Sequence, residues 1–204
     1  MNLTPTLYCK QDISRLGASV KNRQIIKLFG VLNAYLRMIS FKIVANKVIY
    51  AQIAAEAGNE VEKIRVATKK IAPCIGCYYC AANGGKCVHN DDMAEILRKM
   101  IEADVIVLAS PVYFYSVDAQ IKAVIDRTVA RWLEVKNKEF YYIVTMADPD
   151  RSSADTALAC FRGYADCVEG AEEKGIIIGS GAHEPGKIKN SPALKQAYDM
   201  GKGV

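Results

Sequence analysis

The chain has 204 residues, a length that favours one domain built on one sizeable core. Its 51% hydrophobic and 24% charged residues are ordinary for a water-facing globular protein, and no apolar run approaches the roughly 18 residues needed to span a bilayer, which excludes a helical membrane protein. The net charge of +5 is mild and forms no basic stripe, so nucleic acid is not an expected partner.

In chain order, residues 1–34 hold Lys10, Arg15, Lys21, Arg23 and Lys27 against a single acid, Asp12, and show no strand alternation. They are read as an atypical N-terminal extension, with the folded domain running from 35 to 204. A first strand is expected at 35–39 (Y-L-R-M-I). Residues 60–66 (E-V-E-K-I-R-V) alternate as a half-buried strand should, 104–109 (D-V-I-V-L-A) form a fully buried one, and 139–146 and 174–179 supply two more. Helical spacing of three and four links Met93, Ile96, Leu97, Met100 and Ile101, then Ile121, Val124, Ile125 and Val129, then Ala157, Leu158, Phe161 and Tyr164. Asn90 or Asp91 is positioned to cap the first of these helices, and Ser152 or Ser153 the third. Strands separated by single helices predict an α/β fold with a doubly wound parallel sheet of five strands. Ligands in such sheets bind beyond the carboxyl ends of the strands, which directs attention to loops 67–90, 110–118 and 147–153.

The first of these loops carries Cys74, Cys77, Cys80 and Cys87 in the pattern C-x2-C-x2-C-x6-C. Three thiols at steps of three, with Gly76 between them and Asn83-Gly84-Gly85 turning the chain back to Cys87, suit the corners of a [4Fe-4S] cluster. Two other readings stand beside it. Four thiolates, with His89 as a spare ligand, also suit zinc, although zinc sites usually pair two separate C-x2-C knuckles. Free or redox-active thiols are the third. Seven cysteines and no secretory signal point to a reducing compartment, the cytoplasm.

The second loop reads Ser110-Pro111-Val112-Tyr113-Phe114-Tyr115-Ser116. A proline followed by three aromatics in four positions, at the end of a buried parallel strand, is a surface on which a planar ring can lie. Cys160 and Cys167, seven apart, are expected to share a buried helix stripe. Asp126 and Arg127 read as a solvated or interface pair on a helix.

Taken together, C-I-G-C-Y-Y-C, G-K-C, D-D-M, A-D-V-I-V-L-A-S-P-V-Y-F and I-K-A-V-I-D-R resemble the flavodoxin-like NAD(P)H-dependent FMN reductase family and, within it, the iron-sulfur flavoproteins. The likeness runs from about Ala51 to the C-terminus. It implies a flavodoxin-like fold and an FMN-dependent oxidoreductase or electron-transfer protein. By the same resemblance Ser110, Pro111, Val112, Tyr113, Phe114, Met146 and Ala147 would border the flavin, and the four loop cysteines would hold a [4Fe-4S] cluster. NAD(P)H would be a donor, other donors and acceptors would be small molecules or proteins, and the chain would form a homodimer or homotetramer. One feature departs from the family, whose phosphate loop reads roughly G-S-P-R-x-x-x-N-T. The best register sets 40–47 there, with Ser40, Lys42 and Asn46 in place and the proline, glycine and threonine replaced by Phe41, Ala45 and Lys47. Two alternatives therefore accompany the main reading: a cluster-free FMN or quinone reductase, and a flavodoxin-like protein that binds no cofactor.

Overall fold

The computed structural model describes residues 23–29, 52–182 and 191–204. Five parallel strands, β1 (Gln24–Phe29), β2 (Glu60–Arg65), β3 (Val105–Pro111), β4 (Glu139–Thr145) and β5 (Glu172–Gly179), form one sheet in the order β2-β1-β3-β4-β5. The helices are α1 (described over 52–56), α2 (Tyr79–Ala82), α3 (Met93–Glu102), α4 (Ala119–Arg127), α5 (Asp155–Ala165) and α6 (Pro192–Lys202). This is the flavodoxin-like order expected from the sequence. Its strand order reverses between β1 and β3, which opens a crevice beyond their carboxyl ends.

The central strand β3 is buried at all seven positions, as its unbroken apolar run requires of a strand covered on both faces. Alternate side chains divide between two cores. Ile106 and Leu108 pack with Ile96, Met100, Ile121, Val124 and Phe161 of α3, α4 and α5. Val105, Val107 and Ala109 pack with Ala54 of α1 and Ala193 and Ala197 of α6. Phe161 stacks on Tyr142 with ring centroids 5.5 Å apart, and Tyr164 meets Phe140 edge-on at 5.9 Å. Such pairs add roughly 0.5–1.5 kcal/mol each to the burial of their rings.

The first strand is a correction to the sequence reading. It is formed by Gln24–Phe29, inside the stretch assigned to an extension, while 35–39, where it was expected, and 40–47 lie outside the described residues. Ile25 and Ile26 are each 2% exposed and face opposite cores. A strand buried on both faces shows consecutive apolar residues, so the alternation that was sought is absent by construction. Asp104 fastens its start, accepting from the Gln24 N–H through Oδ2 at 2.8 Å while its own N–H donates to the Gln24 carbonyl at 2.8 Å.

The caps also differ in detail. Asp91 accepts from the Met93 N–H at 3.2 Å at the start of α3. Ahead of α5, however, the Asp150 carboxylate accepts from the Ser152 N–H, and Ser153 donates its hydroxyl to Asp148 at 2.7 Å. Asp150 thus caps the 3-10 turn Arg151–Ala154 that leads into α5, and α5 itself starts without the serine cap expected. No helix among the described residues is long and apolar enough to cross a membrane.

Candidate functional site

Three loops leave the carboxyl ends of β3, β4 and β5, and backbone hydrogen bonds stitch them together. Val112 N–H donates to the Thr145 carbonyl at 2.8 Å, Met146 N–H to the Gly179 carbonyl at 3.0 Å, and Ala182 N–H to the Met146 carbonyl at 2.9 Å. The loop after β3 then makes a tight turn in which Tyr113 and Ser116 exchange hydrogen bonds of 2.9 and 3.0 Å. Its two central residues, Phe114 and Tyr115, have φ of 49° and 63°. Two positive φ values define the hairpin turn usually made by Asn-Gly, and bulky residues there carry roughly 1–2 kcal/mol of strain each. Both rings face outward, with Phe114 fully exposed and Tyr115 61% exposed. Backbone strain of this kind concentrates at ligand-binding loops.

The predicted flavin-side residues separate into distinct roles. Val112 and Tyr113 are half-buried and Ala147 is exposed, so these three, with Phe114, present surface beyond the ends of β3 and β4. Met146 is buried and its side chain packs in the core. Ser110 is wholly buried and its hydroxyl is engaged elsewhere. It lies 2.9 Å from Asp118 Oδ2 and 2.7 Å from the Pro111 carbonyl, and it accepts from the Asp118 N–H at 2.9 Å. Asp118 in turn caps α4, its Oδ1 accepting from Gln120 and Ile121 N–H groups at 3.1 and 3.0 Å. Ser110 and Asp118 therefore form a buried latch across the base of the aromatic turn. Burial and the nearby Asp118 charge hold the Tyr113 phenol above its ordinary pKa, so the ring stays neutral. At the end of β4, the buried Thr145 hydroxyl has no hydrogen-bond partner among the described residues. An unpaired buried hydroxyl at the strand ends fits a polar ligand edge.

The other end of α4 holds the cysteine loop. Cys74, Cys77, Cys80 and Cys87 all line a single cavity of about 180 Å³, whose wall is completed by His89 and Arg127. Two left-handed residues, Gly76 at φ 65° and Tyr78 at φ 56°, bend the chain between successive thiols. The one-turn helix α2 follows, and Gly85 N–H donates back to the Cys80 carbonyl at 3.0 Å, returning the chain to Cys87 as the Asn83-Gly84-Gly85 turn predicts. Among the described residues no group of three His, Cys, Asp or Glu side chains converges on a point that could hold a single ion. The four cysteines share the lining of one cavity, Cys74 and Cys77 exposed and Cys80 and Cys87 half-buried.

Gly85 tests that turn. A Cβ there would fall 2.5 Å from Arg131 Cγ and 2.9 Å from the Ala130 carbonyl, at φ +80°, whereas one at Gly84 would meet nothing within 4 Å. Gly85→Ala is expected to cost about 2 kcal/mol more than Gly84→Ala, because it adds overpacking to the shared left-handed strain. Urea unfolding of the two variants measures the difference. Equal destabilisation would remove the contact with the turn after α4.

Arg127, expected in a solvated or interface pair, is 2% exposed within the chain itself. Its Nη1 donates to Asp91 Oδ2 at 2.7 Å and to the Ala72 carbonyl at 2.6 Å, and its Nη2 donates to Asp91 Oδ1 at 2.9 Å. Asp91 also accepts from the Ala72 N–H at 2.9 Å. Ala72 precedes the cysteine loop and Asp91 follows it, so one guanidinium clasps both ends to α4. Desolvation opposes the charge on each partner. For Asp91 the Arg127 hydrogen bond and two backbone N–H groups outweigh it and hold the carboxyl below its ordinary pKa. For Arg127, Asp91 and then Cys87 outweigh it and hold the guanidinium above its ordinary value. Asp126 behaves as expected, in an exposed pair with Lys122. Cys160 is half-buried and Cys167 exposed, so they do not share a buried stripe.

The sequence reading missed the role of Asp118 and the pairing of Asp91 with Arg127. Asp118 was within reach of it, since an aspartate directly before a periodic helix is a cap signal. Asp91 was marked only as a helix cap, and nothing local marks its partner 36 positions later.

Comparison with known proteins gives a consistent picture. A family model described as NADPH-dependent FMN reductase matches residues 28–158. An iron-sulfur flavoprotein of Methanocaldococcus jannaschii is 54% identical over 74 residues, 36% of this chain and 38% of that protein. One from Archaeoglobus fulgidus is 51% identical over 71 residues, 35% of this chain and 32% of that protein. The matched stretch thus spans about a third of the length of these relatives. Among solved structures, an azoreductase from Bacillus anthracis strain Sterne superposes with a TM-score of 0.69 at 13% identity, covering 89% of this chain and all of that one. An FMN-dependent NADH-azoreductase from B. anthracis strain Ames Ancestor, solved in complex with FMN, gives 0.65 at 14% identity, covering 89% of this chain and 97% of that one. At such identities the superpositions establish the fold alone.

Proposed function

Because the chain belongs to the NADPH-dependent FMN reductase family, we propose that it is an FMN-dependent oxidoreductase of the iron-sulfur flavoprotein type. The observation that carries this reading is the placement of all four cysteines on one cavity at the far end of the helix that begins at the aromatic turn. Helix α4 has nine residues, so the latch at Asp118 and the clasp at Arg127 lie roughly 13 Å apart along its axis.

In this reading FMN lies in the crevice where the strand order reverses, with Pro111, Val112, Tyr113, Phe114 and Ala147 beside its ring. Ser110 and Asp118 position the turn, and the Thr145 hydroxyl is available to the ligand's polar edge. Cys74, Cys77, Cys80 and Cys87 hold a [4Fe-4S] cluster. Bound FMN supplies hydride and one-electron chemistry, and a cluster supplies one-electron chemistry. The protein's own contribution is position, exclusion of water and charge. Three cysteines crowded at steps of three favour a cluster over zinc, whose sites usually pair two separate C-x2-C knuckles. NAD(P)H is the proposed donor, with small molecules or proteins as further donors and acceptors, and the reducing cytoplasm is the compartment that suits four reduced thiols. Exposed Ile75, Tyr78, Val88 and Val129 around the cavity suit burial in a homodimer or homotetramer.

Anaerobic purification followed by absorption spectroscopy and iron and sulfide analysis tests the proposal. Flavin bands over a broad iron-sulfur shoulder, with about four irons per chain, are expected. Cys87→Ser should lose most of the iron and keep the flavin. Flavin without iron in the parent protein would leave a cluster-free reductase, and neither chromophore would leave a fold without cofactor.

A further inference from the structure

Arg127 is more than a staple for the cysteine loop. A purely structural clasp would use every N–H it buries, since an unpaired buried donor costs about 1–3 kcal/mol. The clasp here uses Nη1 and Nη2, and leaves Arg127 Nε buried with no partner. The residue forms part of the cysteine cavity's wall, and Cys87 is close enough to favour its charged state. A second buried nitrogen without a partner, His89 Nε2, belongs to a residue of the same wall. Two unpaired polar atoms on residues lining one cavity indicate an occupant that pairs with them.

Resting on the reading that the four cysteines hold a cluster, we propose that Arg127 is the residue that sets its reduction potential, its Nε–H donating to the Cys87 sulfur and its fixed positive charge favouring the reduced state. The physical basis is direct. A cluster on four thiolates is anionic and gains one more negative charge on reduction, so a neighbouring cation and an N–H···S hydrogen bond stabilise the reduced form and raise the potential. Arginine suits the task where lysine would not, because its fork holds Asp91 and Ala72 with two nitrogens and leaves the third in a fixed direction. Asp91 opposes the effect by placing a carboxylate against the same guanidinium.

That opposition makes the proposal testable by sign. The parent protein, Arg127→Gln and Asp91→Asn are purified anaerobically, and each cluster's midpoint potential is measured by redox titration followed by electron paramagnetic resonance. Removing the cation should lower the potential, and removing the carboxylate should raise it. Each change should alter the reduction equilibrium about tenfold, which is about 59 mV for a one-electron couple. A positioning role without charge tuning predicts lower iron content in both variants and potentials that stay put or drift the same way, and either result overturns the proposal. Should Arg127→Gln fail to retain iron, Asp91→Asn decides alone, since an unchanged or lowered potential there is equally fatal. A parent protein that takes up no iron or sulfide fails at the earlier step, and so separates loss of the cluster reading from loss of this one.

Discussion

Arg127→Met is expected to destabilise the protein by about 3 kcal/mol and to release the cysteine loop while the sheet stays folded. The size follows from what the change leaves behind. Methionine fills the volume but strands the Asp91 carboxylate, 11% exposed, without its cation. Breaking a buried pair from one side costs roughly 3–5 kcal/mol, and the slight exposure of Asp91 argues for the lower figure. The location follows from the clasp, because Ala72 and Asp91 are the two ends of the loop and Arg127 joins both to α4. Hydrogen exchange should quicken across 73–90 while β3 and β4 stay protected, and urea unfolding should give the energy. Acid provides the matching control. The Asp91 pKa is depressed in the folded state, so the clasp is complete at neutral pH and is lost only as pH falls below the ordinary carboxylate value of 3.8 through the lowered one. Loop protection in the parent should therefore fade below about pH 4, and the variant should show no such acid step. Uniform loss of protection across the whole chain would mean that Arg127 supports the core and not the loop.

What could be read without coordinates follows from sequence distance. The buried run of β3, the four cysteines within fourteen positions and the aromatic turn are each contiguous, and their chemistry follows from neighbours in the chain. The clasp is not contiguous. Arg127 meets partners 36 and 55 positions earlier, and a charged residue at a helix end reads as surface until the loop that folds over it is placed. The first strand was missed for a related reason: Ile25 and Ile26 are both buried because neighbours cover the sheet on each side, and a two-sided strand has no alternation to find. Ser110 shows a subtler case. Its position beside the ligand loop was legible, but its hydroxyl serves Asp118, and only the fold brings that partner within 2.9 Å.

The Ser110–Asp118 pair carries the second large effect. Asp118→Ala removes the cap of α4, worth about 1 kcal/mol, and leaves the wholly buried Ser110 hydroxyl without its carboxylate partner, worth a further 1–3 kcal/mol or so. A total loss near 3 kcal/mol is expected in urea unfolding. Ser110→Ala should cost less, since the Asp118 carboxylate keeps its two backbone donors. The double variant should cost less than the sum of the two singles, because each single change already breaks the shared bond. The functional consequence depends on the strained turn between them. Phe114 and Tyr115 hold left-handed conformations in the turn that the latch closes, so loss of the latch is expected to let the turn relax and the rings shift. About 1.4 kcal/mol of that relaxation taken from binding lowers FMN affinity tenfold. Flavin fluorescence titration of the apoprotein reads this directly. If Asp118→Ala loses stability but binds FMN as tightly as the parent, the latch serves the helix alone, and the aromatic turn is not what holds the flavin.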